Sequence, residues 1–139
     1  MISDHVSLAI SATGVPALLL CEEQRRVIVL RLLERLGVNV FGRAPWDHPA
    51  APLGMQKSDG WKLIPKYVGG RECLLFPEGA GSMWTFSNGS DLLRVLENCQ
   101  AIEFYVADKD AGYLLCFNHH DFIVGWGEAA QWVANGLST

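Results

Sequence analysis

Ala101-Ile102-Glu103-Phe104-Tyr105-Val106-Ala107, with Tyr113-Leu114-Leu115-Cys116-Phe117 and Phe122-Ile123-Val124-Gly125-Trp126 behind it, is the stretch that decides the fold class. Side chains alternate across a strand, so Ile102, Phe104 and Val106 share one face and Glu103 and Tyr105 the other. The first run is therefore expected to be a strand with one face in the core and Glu103 and Tyr105 projecting outward. The next two runs are apolar throughout, as central strands covered on both sides are. Asp108 to Gly112 supplies one turn, and Asn118-His119-His120-Asp121 forms a polar tip between the second and third strands. The result is an antiparallel meander whose two turns fall at opposite ends of the sheet.

Working outward, Glu128 to Ala134 predicts a final helix that sets Trp132 and Val133 against the body and stops at Asn135-Gly136. Before the meander, Ser90 is expected to cap a helix whose Leu92, Val95, Leu96 and Cys99 form one stripe. Trp61 to Val68, a Gly69-Gly70 turn and Arg71 to Phe76 read as a hairpin, with Pro65 placing the first strand at an edge or bulge, and Met83 to Phe86 reads as a short strand. Residues 41–60 are broken by Pro45, Pro49, Pro52, Gly42, Gly54 and Gly60, which predicts a long irregular loop anchored by Trp46.

A helix from Ala17 or Cys21 to Leu36 is marked by Val29, Leu32, Leu33 and Leu36 at helical spacing, the Glu22–Arg26 pair and Gly37 as the stop. Ile28 and Leu30 widen its apolar surface, so cover on more than one side is expected. Residues 4–13 predict a further short helix, capped by Ser3 or Asp4 and stopped by Gly14. The order is roughly ααββ(β)αβββα: a single α+β domain over residues 1–139, with a mostly antiparallel sheet backed by helices.

Half of the 139 residues are hydrophobic and 19% are charged, enough apolar material for a packed core. The longest apolar run, Val15 to Leu20, falls far short of the roughly 20 residues that span a bilayer. Asp4 stands where a secretory leader would carry a basic residue, so a cytoplasmic location is expected. Cys21, Cys73, Cys99 and Cys116 form no C-x-x-C pair and sit among apolar neighbours, as buried reduced thiols do. The net charge of −4 is unevenly divided: residues 1–70 carry eight Lys/Arg against six Asp/Glu, residues 71–139 three against nine. An acidic C-terminal half disfavours nucleic acid as a direct ligand and favours a basic partner.

The tip Asn118-His119-His120-Asp121 is the one cluster of ligand-type side chains in the sequence. Adjacent histidines in an extended segment point to opposite faces, so neither a metal nor another cofactor is expected there, and Asn and Asp are natural turn formers. Cys116 and His119 suggest a nucleophile and base, but a thiol inside an apolar strand stays protonated. His48 has no hydroxyl or thiol partner at a telling spacing, and Glu78-Gly79-Ala80-Gly81-Ser82 lacks the lysine of a phosphate loop. No catalytic residue is assigned. The five tryptophans are expected mostly in the core, with one or two partly exposed at an interface.

The segments Trp61-Lys62-Leu63-Ile64-Pro65, Phe104-Tyr105-Val106, Leu114-Leu115-Cys116-Phe117-Asn118-His119-His120-Asp121 and the terminal Trp132 give the C-terminal half a pattern that resembles small bacterial immunity proteins of polymorphic-toxin systems, including the SUKH-like α+β group. The resemblance implies a cytoplasmic protein, not an enzyme, that binds and occludes a cognate toxin domain acting on nucleic acid or nucleotides. On that reading Glu103, Tyr105, Asp108, Asp110, His119, His120 and Asp121 are the candidate toxin-binding residues. Two other readings stay open: a small-molecule-binding or enzymatic domain with its pocket near the 41–60 loop, and a subunit that forms a homodimer through an edge strand.

Overall fold

The computed structural model describes residues 2–42, 51–99 and 102–137. Trp46 and His48 lie outside the described residues. The meander forms as its pattern predicts, with β5 (Phe104–Ala107), β6 (Tyr113–Phe117) and β7 (Phe122–Gly127) paired antiparallel in sequence order. Four further strands extend it: β1 (Ala17–Leu19), β2 (Met55–Gln56), β3 (Cys73–Phe76) and β4 (Trp84–Phe86). All pair antiparallel into one seven-stranded sheet of order β1-β4-β3-β5-β6-β7-β2. With the helices this is an α+β fold.

The helices are α1 (Ile2–Thr13), α2 (Glu22–Leu36), α3 (Gly60–Val68), α4 (Gly89–Glu97) and α5 (Glu128–Ala134). They cover the sheet unequally. Side chains of α1, α3, α4 and α5 pack with Leu75, Phe86, Val106 and Leu115 on one face. On the other, α2 alone supplies Ile28, Val29 and Leu32, which pack with Leu74, Phe76, Tyr105, Leu114 and Trp126. Val38, Val40, Ala80 and Met83 complete that second layer.

The helix boundaries follow local chemistry. Gly37 takes φ 71° at the end of α2, and its N–H donates to the Leu33 carbonyl at 3.0 Å. The Glu22–Arg26 ion pair forms at 2.8 Å. Gln24 reaches back so that its Oε1 accepts the Cys21 N–H at 2.9 Å, half of a capping box. The cap of α4 is Asn88, two residues before the expected Ser90, and its Oδ1 accepts the Asp91 N–H at 2.8 Å.

Three local expectations change. Residues 61–68 are a helix, not the first strand of a hairpin: Trp61, Ile64, Pro65 and Val68 recur at helical spacing, and Lys62 and Lys66, four apart, stay exposed. Pro65 removes one helical hydrogen bond, and α3 absorbs the loss by packing closely on α4. A Cβ at Gly89 would lie 2.1 Å from the Pro65 carbonyl oxygen, so only glycine permits this approach. Residues 17–19 leave the helical pattern to become β1, because β4 offers an edge on which all three pair in register. Within the predicted 41–60 loop, Met55 and Gln56 pair with β7 as the opposite edge strand.

Candidate functional site

The Asn118–Asp121 tip is a turn built by one side chain. Asn118, only 4% exposed, uses its Oδ1 to accept the N–H groups of His120 at 2.9 Å and Phe122 at 3.1 Å. Asp121 adopts φ 61°, a conformation that Asn and Asp tolerate better than most residues, and its N–H donates to the Asn118 carbonyl at 3.0 Å. The β2 segment fastens the tip: the Lys57 N–H donates to the Asp121 carbonyl at 2.8 Å, and the Gln56 amide donates to the His120 carbonyl at 3.3 Å. The tip is thus held from both sides.

Turn geometry also overrides the expectation that the two histidines diverge. Their ring centroids lie 3.8 Å apart, because the backbone reverses between them. His119 is tied to Glu103: its N–H donates to Glu103 Oε2 at 2.8 Å, and its Nδ1 pairs with the same oxygen. Glu103, His119, His120 and Asp121 therefore gather at one end of the sheet. Asp108 and Asp110 lie at the other end, as the meander requires. There the Asp108 carboxylate accepts the Gly112 N–H at 2.6 Å, so it shapes its turn rather than standing free. Arg31 and Arg35 donate to the Lys109 and Asp110 carbonyls at 2.9 and 3.1 Å, clamping the same turn beneath α2.

Tyr105 does not belong to an exposed surface. It is 1% exposed, stacked on Phe76 at 5.2 Å between centroids, under α2. Alternation placed it correctly on the face opposite Phe104, but that face carries a second core. Its hydroxyl has no hydrogen-bond partner among the described residues, and burial pushes its pKa far above the usual phenol range.

Beside the tip opens a pocket of about 300 Å³. Trp61 of α3, Leu96 of α4, Ile102, Phe104 and Phe117 supply its apolar surface, and Ser58, Glu97 and Asp121 its polar lining. Gly60 lets α3 start against the sheet here, since a Cβ would meet Ile123 Cδ1 at 2.4 Å. Lys62 Nζ stands 5.3 Å from the Trp61 ring centroid, so this indole already carries a cation on its face. Carboxylates beside an aromatic floor suit a cationic group on an apolar stem, such as a lysine or arginine side chain.

Cys99 also lines this pocket, and burial raises its pKa. Burial pushes Cys116 and Cys73 up to about 12, which leaves both thiols protonated near neutral pH. His119 pairs with Glu103 rather than with Cys116. Among the described residues no group of three or more His, Cys, Asp or Glu side chains could hold a metal ion, and no helix is long and apolar enough to cross a membrane.

A second cluster escaped the sequence. Arg71 bridges Glu128 at 2.8 Å, lies over the Tyr67 and Tyr113 rings at 5.1 and 5.3 Å, and donates to the Tyr67 carbonyl at 2.8 Å. The Tyr67 hydroxyl donates to the same Glu128 oxygen at 2.9 Å, and its pKa rises to about 12 through burial and that bond. Arg71 lies just past the end of α3 and Glu128 starts α5, 57 residues on, so no sequence spacing signals the cluster. Compared with known protein families, curated proteins and solved structures, this chain matches none.

Proposed function

We propose that the chain is a binding protein that occludes a basic protein partner, in the manner of the immunity proteins it resembles, and that it grips that partner at the pocket beside the Asn118–Asp121 tip. The observation that carries this reading is the pairing of an aromatic floor, Trp61, Phe104 and Phe117, with the carboxylates Glu97 and Asp121 in one concave site. A cationic side chain of the partner would bury its stem on the rings and set its charge among the carboxylates. Such anchors in desolvated pockets carry most of the energy of an interface, while the net acidity of residues 71–139 speeds encounter. Glu103 acts through His119 by fixing the tip. An immunity role, a nuclease-type toxin and a cytoplasmic setting are the finer parts of this proposal.

A small-molecule site is the second reading, favoured by the pocket volume, which stands at the lower end of the roughly 300–1,000 Å³ usual for ligands. One experiment separates them. The full chain is purified from its host alongside Glu97→Lys and Asp121→Asn variants, the latter chosen because Asn also tolerates the positive φ of this position, and each is examined by native mass spectrometry. The wild type is expected to carry a basic protein in a salt-sensitive complex that both variants lose at unchanged thermal midpoint. A small organic mass on the wild type would establish the second reading. A protein partner retained equally by both variants would remove the pocket from the interface.

A further inference from the structure

We infer that β1 is the seam at which two copies of this chain join edge to edge into one continuous sheet. β1 ends the strand order, so one row of its backbone N–H and C=O groups faces no strand among the described residues. Open edges invite pairing, and proteins that stay monomeric blunt them. The opposite edge is blunted: β2 has two residues and runs directly into Lys57 and Asp59, an ion pair at 3.6 Å. β1 is also short, at three residues, and follows Pro16, but no charged side chain guards it. From Gly14 to Cys21 the chain carries no charge, and Leu18 and Leu19 are 71% and 63% exposed on opposite sides of the strand.

The bare surface continues beyond the edge. Leu18 is registered against Thr85, which with Leu20 and Val27 lines the apolar part of a groove along α2 whose far end carries Arg31, Glu72 and Lys109. Val27, Leu30 and Leu33, at 46%, 59% and 46% exposure, prolong the apolar surface along the outer side of that helix. With Leu18 they expose on the order of 400 Å² of mostly apolar surface on the α2 side, within the roughly 300–600 Å² that a monomer's largest patch reaches. That is about half of the roughly 800 Å² each partner contributes to a stable complex, before the strand pairing itself is counted.

The occupant is a second copy because the strand complements itself. Pairing all three β1 residues with those of a two-fold mate allows one register: Leu18 opposite Leu18, and Ala17 opposite Leu19 on both sides. No charged residue between 14 and 21 opposes a like charge across that axis, and two exposed leucines meet as a cross-strand apolar pair. A sheet of fourteen strands would result, with each tip pocket remote from the seam.

The test is the mass of the full chain by light scattering at tens of micromolar, with two variants. The wild type is expected to be a dimer. Leu18→Lys is expected to be monomeric and cooperatively folded, with a thermal midpoint that does not vary with protein concentration as the wild type's does, because the substituted side chain is exposed within the single chain. Leu18→Cys, made together with Cys21→Ser to remove the neighbouring exposed thiol, is expected to form a disulfide-linked dimer on mild oxidation. A monomeric wild type, or a dimer that survives Leu18→Lys, overturns the proposal. A dimer that Leu18→Lys disperses but Leu18→Cys does not cross-link overturns the two-fold at Leu18.

Discussion

The two faces of the sheet bury comparable cores with unequal means. Four helices lie on the face of Leu75, Val106 and Leu115, and a single helix with flanking loops lies on the face of Leu74, Tyr105 and Leu114. Cys73 on the first face and Cys116 on the second are each 1% exposed, and burial raises the pKa of both thiols. One helix therefore dries its face as thoroughly as four, but it keeps an outer side of its own. Where four helices shield one another's flanks, α2 leaves Val27, Leu30 and Leu33 to solvent. What differs between the faces is the number of apolar surfaces left over.

The sharpest way to break this comparison is to cut α2 on each of its sides. Leu32 is fully buried beneath the helix, and Leu32→Ala should cost about 2–5 kcal/mol, measured by urea unfolding. Leu30→Ser, on the outer side, made in the Leu18→Lys background so that no second copy covers it, should change stability by no more than about 0.5 kcal/mol. A large loss from Leu30→Ser would mean that the outer side is covered in the folded protein, and the two sides of α2 would no longer differ. Next in size is Cys116→Ser, which puts a hydroxyl into the dry second face and should cost about 1–3 kcal/mol. If that variant kept full stability while abolishing a measurable activity, Cys116 would be chemical rather than structural.

How much of this was legible depended on whether local pattern and tertiary cover agreed. The meander was, because β6 and β7 are apolar at every position and their turns carry Asn118 and Asp121, whose chemistry fixes a tight reversal. Tyr105 was placed on the right face with the wrong surroundings, since alternation assigns a side chain to a face without saying whether a helix covers it. Helix α3 was missed because Pro65 and Gly69-Gly70 are strong local signals for an edge strand and a turn, whereas the fit of Gly89 against Pro65 is a contact between distant segments. Of the candidate residues, the structure unites Glu103, His119, His120 and Asp121. The pocket beside them combines α3, α4, the ends of β5 and β6 and the loops next to them, a juxtaposition no spacing encodes.

Removing a polar atom probes the second face more gently. The Tyr105 hydroxyl is buried without a hydrogen-bond partner among the described residues, so Tyr105→Phe should raise stability by about 1 kcal/mol, seen as a higher thermal midpoint. Tyr113 presents the same orphan on the four-helix face, and Tyr113→Phe should do the same. A loss of stability in one variant alone would show that a water satisfies that hydroxyl and that the two faces are not equally dry.

The smallest effect expected is electrostatic and belongs to the four-helix face alone. Glu128 accepts hydrogen bonds from Arg71 and then Tyr67, which hold its carboxyl below the usual glutamate range. A carboxyl whose folded pKa is depressed stabilises the fold fully above its unfolded pKa, and that contribution disappears as pH falls through the folded value. Both partners of the ion pair are about half exposed, at 47% and 55%, so solvent screening limits the contribution to less than about 1 kcal/mol. Glu128→Gln should therefore lower the thermal midpoint slightly at neutral pH. The difference from wild type should narrow as pH drops below the ordinary carboxylate range, where Glu128 is itself protonated. Added salt should shrink the neutral-pH difference in the same way. A gap between wild type and variant that stayed constant from neutral to strongly acidic pH would show that Glu128 acts through packing on Tyr67 rather than through its charge.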